Sequence, residues 1–421
     1  MKKILLLTIV LLGILSSCNT DEPINVSEKV APVTESVNSQ KINLSEALNN
    51  VLPLFEALDG SVTTRLDRRA ISSVDYITVN NKTRSTNAAG EDTLYYIVNY
   101  ANDNGFAILS ADKRLPAVLG ISEKGNINLQ DTAYNMPFKM CLNNIENQST
   151  MLLNGFPSSS DTIVPPNFGS YELKMLSKYG PYIEPFPSYW SQNRPYNMRC
   201  EKYGFLAYSV GCGPLAVAQI MSYYKWPDKL DELELDWDDI NAMLDGPDYG
   251  MFISSGLFKE SLLQMLRKVQ IALEARKGED GSMSVYESQI NDNLQKLGYN
   301  KPGNPIAFDK NVSSYIKNGP LLIESKVYQK EDGHMWVMDG IINYKETWAA
   351  LTNGERYYSL YHCIWGYGGS NNGYFIFDEV LQCIDNEIAD DYAEYDTMLQ
   401  SDIYNAKYYD LKFWKPFIPN K

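Results

Sequence analysis

The sequence predicts an α+β protein built in two units, and three observations carry that prediction. The first half reads as helix, three short β-rich runs, then helix. A Pro- and Ser-rich stretch interrupts the pattern, and the second half then reads as helices followed by strands. At 421 residues, 44% hydrophobic and 21% charged, the chain has length and apolar content for more than one core.

The opening "MKKILLLTIVLLGILSSC" sets two lysines before an apolar run from Ile4 to Leu15, then small residues and Cys18. That run is too short to span a bilayer comfortably and has the layout of an export signal. Its end, "LSSC", has the form of a bacterial lipobox, which predicts cleavage before Cys18 and acylation of its thiol. Residues 1–18 are therefore expected as a lipoprotein signal peptide, and the rest as an exported chain anchored in the membrane, periplasmic or at the cell surface. A plain secretory signal with an incidental Cys is the alternative. Residues 19–44, rich in Ser, Thr, Asn, Glu and Pro, read as a tether.

Residues 45–165 read as a small α+β domain. "SEALNNVLPLFEAL" is an amphipathic helix that Pro53 should kink. "TLYYIVNY", "GFAILSAD" and "LPAVLGIS" form a small antiparallel sheet, and "MPFKMCLNNIENQSTMLLNG" has helical spacing. From Phe156 to Ser188 the chain is polar and Pro-rich, the best linker in the sequence, with the domain boundary set at 165/166. Residues 166–421 form the second domain. "FKESLLQMLRKVQIALEA" and "SVYESQINDNLQKLG" are helical, whereas "GPLLIESKV", "HMWVMDGIINY", "YYSLYHCIW" and "GYFIFDE" are strands. Helices first and sheet second give two lobes with a cleft between them.

A net charge of −15 argues against nucleic acid as a partner. Six Cys minus Cys18 leave Cys141, Cys200, Cys212, Cys363 and Cys383, an odd number that keeps at least one thiol unpaired in an oxidising compartment. No CxxC pair exists, so a zinc ribbon is excluded.

The chemistry gathers at "SVGCGPLAVAQIMSYYKWP". Glycines permit a sharp turn, Pro214 falls in the first helical turn where proline is tolerated, and Pro227 ends the run. Leu215, Ala216, Val217, Ala218, Ile220 and Met221 occupy most of the circumference, so the helix should be buried. Cys212 stands at its N-terminus, where free amides and the helix dipole favour a thiolate. A buried thiol acting as a small hydrophobe is the plainer reading of any single Cys. A nucleophile needs a base, and the chain has only two His. His334, in "DGHMWVMDG", should begin a strand and face open space, and is preferred. His362, inside "YYSLYHCIW", reads as a packed or cleft-wall residue, with Cys363 on the opposite strand face. A Cys212, His334 and His362 metal site matches no familiar spacing, so no metal is expected. The Cys212 amide offers one oxyanion donor. Gln192 in "WSQNRPYN" offers a second, although on composition it is an exposed loop residue.

"YWSQNRPYN", "GCGPLAVAQIMSYYKWP", "GHMWVMDG" and "WGYGGSNNGYF" stand in the order and spacing of the streptopain family of papain-like cysteine peptidases. "YYIVNYANDNGFAILSADKRLPAVLGIS" is similar to that family's inhibitory propeptide. The resemblance implies a papain-like two-lobed fold behind a small α+β propeptide domain, made as a zymogen and working without metal or organic cofactor. It implies Cys212 as nucleophile, His334 as base and then acid, and Gln192 with the Cys212 amide as oxyanion hole. It places Trp365 beside the catalytic His. Protein or peptide substrates and the chain's own propeptide are the implied partners, and the cut is expected between Phe156 and Pro181, with Lys174 and Lys178 as candidates.

Two departures stand out. Where the family reads Asn-Trp-Gly-Trp-Gly-Gly, this chain has Ile364 in the Asn place and Tyr367 in the second Trp place. Where the family more often reads "CVATAMAQ", Gly213 and Pro214 alter the first turn. Ile364 cannot orient an imidazole through a hydrogen bond. A catalytically impaired surface-binding lipoprotein, suggested also by 30 Tyr, and a Cys-His amidase or transamidase are the rival readings.

Overall fold

The computed structural model describes residues 40–59, 69–78, 93–129, 135–155, 171–242, 259–309, 311–327, 333–348, 354–377 and 408–420. Cys18, the signal, most of the tether, residues 156–170 and Cys383 lie outside the described residues.

The N-terminal unit runs α1 (Leu44–Asp59), β1 (Ile71–Thr78), β2 (Thr93–Tyr100), β3 (Phe106–Ser110), β4 (Val118–Ser122) and α2 (Met136–Gly155). The Asn43 side chain accepts the Glu46 amide at 2.9 Å to start α1, and Asn135 accepts the Phe138 amide at 3.1 Å to start α2. Helix α1 continues past Pro53 to Asp59. Strands β2 to β4 fall on the three expected runs. Strand β1 was not expected, because "ISSVDYIT" sets Ser, Ser and Asp among its apolar residues. It pairs antiparallel with β2.

The second unit starts with β5 (Tyr171–Tyr179), followed by helices α3 (Cys212–Tyr224), α4 (Glu260–Ala272) and α5 (Glu287–Asn293). Strands β6 (Leu321–Val327), β7 (Gly333–Trp348), β8 (Gly354–Ile364), β9 (Gly373–Phe375) and β10 (Tyr408–Phe413) complete it. Strand β5 lies inside the stretch read from sequence as linker. Its Leu173 is buried between exposed Glu172 and Lys174, an alternation masked by the prolines and glycines around it. Lys174 and Lys178 sit opposite Lys345 and Ile342 in a hydrogen-bonded ladder, so a cut at either needs β5 to peel away first.

Both units share one sheet. Its order is β1-β2-β3-β4-β9-β8-β7-β6-β10, ending on the short strand Ile306–Ala307, with β5 also on β7. The joint is the pairing of β4 with β9, Ile121 opposite Tyr374 and Gly120 opposite Phe375. Strand β7 changes partner part-way: Gly333–Met338 pairs with β6, and Ile341–Trp348 with β5. Its ladder with β8 is irregular between Met338 and Gly340, which leaves Asp339 at the break.

Two cores lie on the two faces of this sheet. One joins the N-terminal unit to Trp336, Leu360, Cys363 and Phe375, and the other joins α3 and α4 to Leu322, Met335, Val337 and Ile364. With both faces covered, Leu321, Leu322 and Ile323 are all buried, an unbroken apolar run of the kind a doubly covered strand requires. Cys363 and Ile364 thus point to opposite faces, as the period of two demands. Helix α3 is buried all round, and each large apolar side chain on it contributes about 1.5–3 kcal/mol.

Candidate active site

Cys212 is the first residue of α3. Gly211 before it has φ 91°, and a Cβ there would lie 2.7 Å from the Met283 carbonyl oxygen, so only glycine makes this turn. The Cys212 residue keeps part of its surface exposed. Burial of its sulfur pushes the thiol's pKa up, and the amides of Met335, Gly213 and Cys212 itself oppose that by leaning on the sulfur.

His334 follows Gly333 at the start of β7. Its Nε2 lies 3.1 Å from the Trp365 carbonyl oxygen. A carbonyl only accepts, so Nε2 carries the hydrogen and Nδ1 is left as the basic nitrogen. The ring stacks on Trp336 at 6.1 Å and 13°, and Tyr367 lies 6.0 Å away on a tilt. The sequence expectation that His334 faces open space is corrected here. Trp336, Tyr367 and the turn after Trp365 close around it, and burial lowers its pKa to about 4. Burial thus favours the uncharged form of both the Cys212 thiol and the His334 imidazole.

Gln192 is partly buried, and its carbonyl accepts the Val210 amide at 2.8 Å, which ties its segment to the approach to Cys212. Its side chain faces the Tyr367 hydroxyl. Burial and the charge of Cys212 push the Tyr367 phenol up, and Gln192 works in the other direction. Tyr367 is thus the residue that touches the surroundings of all three predicted groups. Sequence reading noted it only as a departure, and its position in "WGYGG" was the available signal.

Trp365 is buried, with its ring 5.5 Å from Trp336 and 5.7 Å from Phe375. Its backbone and indole nitrogens donate to Asn372 Oδ1 and the Asn371 carbonyl. The ring supports the turn, while the main-chain oxygen is what reaches His334. His362 stands apart from this group, its Nδ1 2.5 Å from Asp339 Oδ1. Among the described residues no cluster of His, Cys, Asp or Glu could hold a metal ion.

Residues 190–375 match the Peptidase C10 family, and residues 39–149 match the Spi protease inhibitor. The chain carries a C10-family cysteine peptidase region behind an inhibitor region. The thiol protease/hemagglutinin PrtT of Porphyromonas gingivalis is 29% identical over 151 residues, which is 34% of this chain and 16% of that protein. Streptopain of Streptococcus pyogenes is 21% identical over 373 residues, 77% of this chain and 84% of its own length. A fragment of Prevotella intermedia prointerpain A superposes with a TM-score of 0.47 at 18% identity, over 76% of this chain and 94% of its own.

In the C10 region two of the departing residues, Ile364 and Gly213, have a local physical account. Ile364 is buried in the helical-lobe core, and the Trp365 carbonyl makes the hydrogen bond to His334 that an Asn side chain would otherwise supply. At Gly213, a Cβ would lie 2.3 Å from Val285 Cγ2 and 3.0 Å from Met335 Sδ, so those side chains fill the space of the family's Val. Gly213→Val should accordingly destabilise the protein by about 1–3 kcal/mol through overpacking. Urea unfolding of that variant and of the Gly213→Val, Val285→Ala pair checks this, the second change restoring part of the loss.

The inhibitor region holds the turn that orients His334. Asn135 donates to the Ser370 carbonyl at 2.7 Å and Ser122 to the Asn372 carbonyl at 2.7 Å, while Asn371 donates to the Asn126 carbonyl at 3.2 Å. Lys113 and Arg114 offer carbonyls to Arg356, and Glu346, fully buried, accepts the Ala117 amide at 2.7 Å.

The low His334 pKa has a stability consequence. Between pH 6.5 and about 4 the unfolded chain protonates this imidazole and the folded chain does not. Stability must therefore fall as pH falls through that window, by about 3 kcal/mol from this group. Urea unfolding at pH 7 and pH 4, for the full chain and for His334→Gln, should show a flatter pH dependence in the variant.

Proposed function

We propose that the chain is the zymogen of an exported, lipid-anchored cysteine endopeptidase that works through a Cys212 and His334 dyad. The observation that carries this is the tautomer of His334: Nε2 is committed to the Trp365 carbonyl, and Nδ1 is free to take the thiol proton. The Cys212 sulfur meanwhile lies among amides at the mouth of α3. In the reaction His334 accepts the proton, and the thiolate attacks a peptide carbonyl. Gln192 and the Cys212 amide stabilise the oxyanion, and His334 then protonates the leaving amine. Water hydrolyses the thioester. Acylation of Cys18 would hold the precursor at the membrane, and a cut within the linker would part the peptidase from that anchor and from its inhibitor. The tethered inhibitor keeps activity low through its high effective concentration.

The reading of an impaired, merely binding lipoprotein leaned on Ile364 and on the 30 Tyr, and the His334 contact with the Trp365 carbonyl weighs against the first of these. A test is to incubate residues 19–421 and follow conversion to a smaller form, casein cleavage, and the site of labelling by a thiol-directed epoxide. Epoxide on Cys212 with casein cleavage is expected. An unlabelled Cys212 and intact casein after conversion would defeat the peptidase reading, and turnover of small amides alone would favour an amidase.

A further inference from the structure

We propose that Asn372 is a positioning residue for the peptidase reaction, its side-chain amide locking the main chain that orients His334 to the segment that carries Gln192. The base and the oxyanion donor are thereby held at one spacing. The proposal rests on the peptidase reading above. Asn372 is half-buried on the far side of the glycine-rich turn that follows Trp365. Its Oδ1 accepts the Trp365 amide at 3.2 Å, and its Nδ2 donates to the Ser188 carbonyl at 3.0 Å. Both ends of one amide are therefore in use, each on a different segment of the site.

On one side, Trp365 is the residue whose carbonyl takes the His334 Nε2 hydrogen at 3.1 Å. Its indole is tied to the Asn371 carbonyl, and Ile364 before it has no polar side-chain atom, so Asn372 is what holds its main-chain amide. On the other side, Ser188 stands four residues before Gln192. Gln219, fully buried on α3, donates to the neighbouring Pro187 carbonyl at 2.9 Å. Adjacent carbonyls thus tie this one segment to the helix of Cys212 and to the turn of His334. Main-chain contacts run along the same seam, the Gly368 amide on the Trp190 carbonyl and a bridge between Ser191 and Tyr367. The first of these is 3.4 Å long, beyond the usual range, so the Asn372 amide is the firmer tie. A reacting group misplaced by about 1 Å loses about a hundredfold in rate, which is the scale of what such a tie protects.

The experiment compares the parent, Asn372→Ala and Asn372→Asp, each full chain matured by a trace of parent enzyme that is then removed, with circular dichroism as the check on folding. Two quantities are read: kcat and KM on a fluorogenic peptide, and the rate at which iodoacetamide alkylates Cys212 near neutral pH. Alkylation needs His334 beside the sulfur but not Gln192, whereas turnover needs both. Asn372→Ala should lose about tenfold or more in kcat and in alkylation, with KM within about twofold of the parent. Asn372→Asp keeps an oxygen for the Trp365 amide and sets the other against the Ser188 carbonyl. Its alkylation should stay parental while kcat falls several-fold. Parental kcat in either variant, parental alkylation in Asn372→Ala, or a loss carried by KM overturns the proposal, and Asn372→Asp decides alone if Asn372→Ala does not fold. Failure of the peptidase reading looks different: the parent itself cuts no peptide, and its Cys212 reacts no faster than an ordinary thiol.

Discussion

Cys212→Ala should fold as the parent does and lose peptide turnover by on the order of 10⁴-fold or more. The folded state tolerates the change because the thiol is packed at a helix start and burial keeps it protonated, so removing it strands no charge. Turnover does not tolerate it, because no other described thiol can take over: Cys141, Cys200 and Cys363 are all buried, and burial pushes each thiol up. His334→Gln should cost a similar factor, and the double variant no more than either, if the two residues serve one proton transfer as proposed. Casein hydrolysis by the four proteins, with circular dichroism as the check on folding, decides this. Multiplying effects, or residual turnover in Cys212→Ala that a thiol reagent still blocks, would move the nucleophile elsewhere.

The largest effect on stability is expected at Asp339. It is fully buried at the break in β7, where the strand exchanges β6 for β5 as its partner. Its Oδ2 accepts the amides of Tyr182 and Ile183 at 3.0 and 2.9 Å, and its Oδ1 lies 2.5 Å from His362 Nδ1. One carboxylate thereby fastens the end of the β5 segment, the start of the path to Gln192 and the last turn of β8 to the same point. Asp339→Ala leaves buried donors without an acceptor, at a cost of about 3–5 kcal/mol. For a chain of this size that is a fall in Tm of roughly 5 °C. Asp339→Asn, which keeps one acceptor, should lose less. Calorimetry of both variants measures it, and equal melting points for Asp339→Ala and the parent would show that this carboxylate holds nothing together.

Much of this was legible in the residues, and what was not has a physical reason. Strands β2 to β4 could be read because their apolar runs are bounded by turn residues. Strand β5 could not, because its context is Pro- and Gly-rich and its partner Ile341–Trp348 lies some 170 positions on. Cys212 and His334 were visible as side chains of scarce type in telling places. The group that orients His334 was not, since a main-chain oxygen at Trp365 looks the same in sequence whatever the residue, and attention went to the Ile364 side chain instead. Asp339 stood inside "GHMWVMDG" all along, yet nothing local announces that its acceptors serve Tyr182, Ile183 and His362.

The shared sheet has a cost that falls only on the active form. In the precursor β9 is an interior strand, its Tyr374 and Phe375 opposite Ile121 and Gly120, with the Ile376 amide on the Leu119 carbonyl at 3.0 Å. Departure of the inhibitor region turns β9 into an edge and bares Phe375, whose ring now lies 6.2 Å from that of Phe106 and 5.5 Å from that of Phe138. An edge of three residues is too short to template a second chain strongly. What the inhibitor region guards is therefore the aromatic surface rather than the edge, and the released peptidase should be the more aggregation-prone of the two forms at equal concentration.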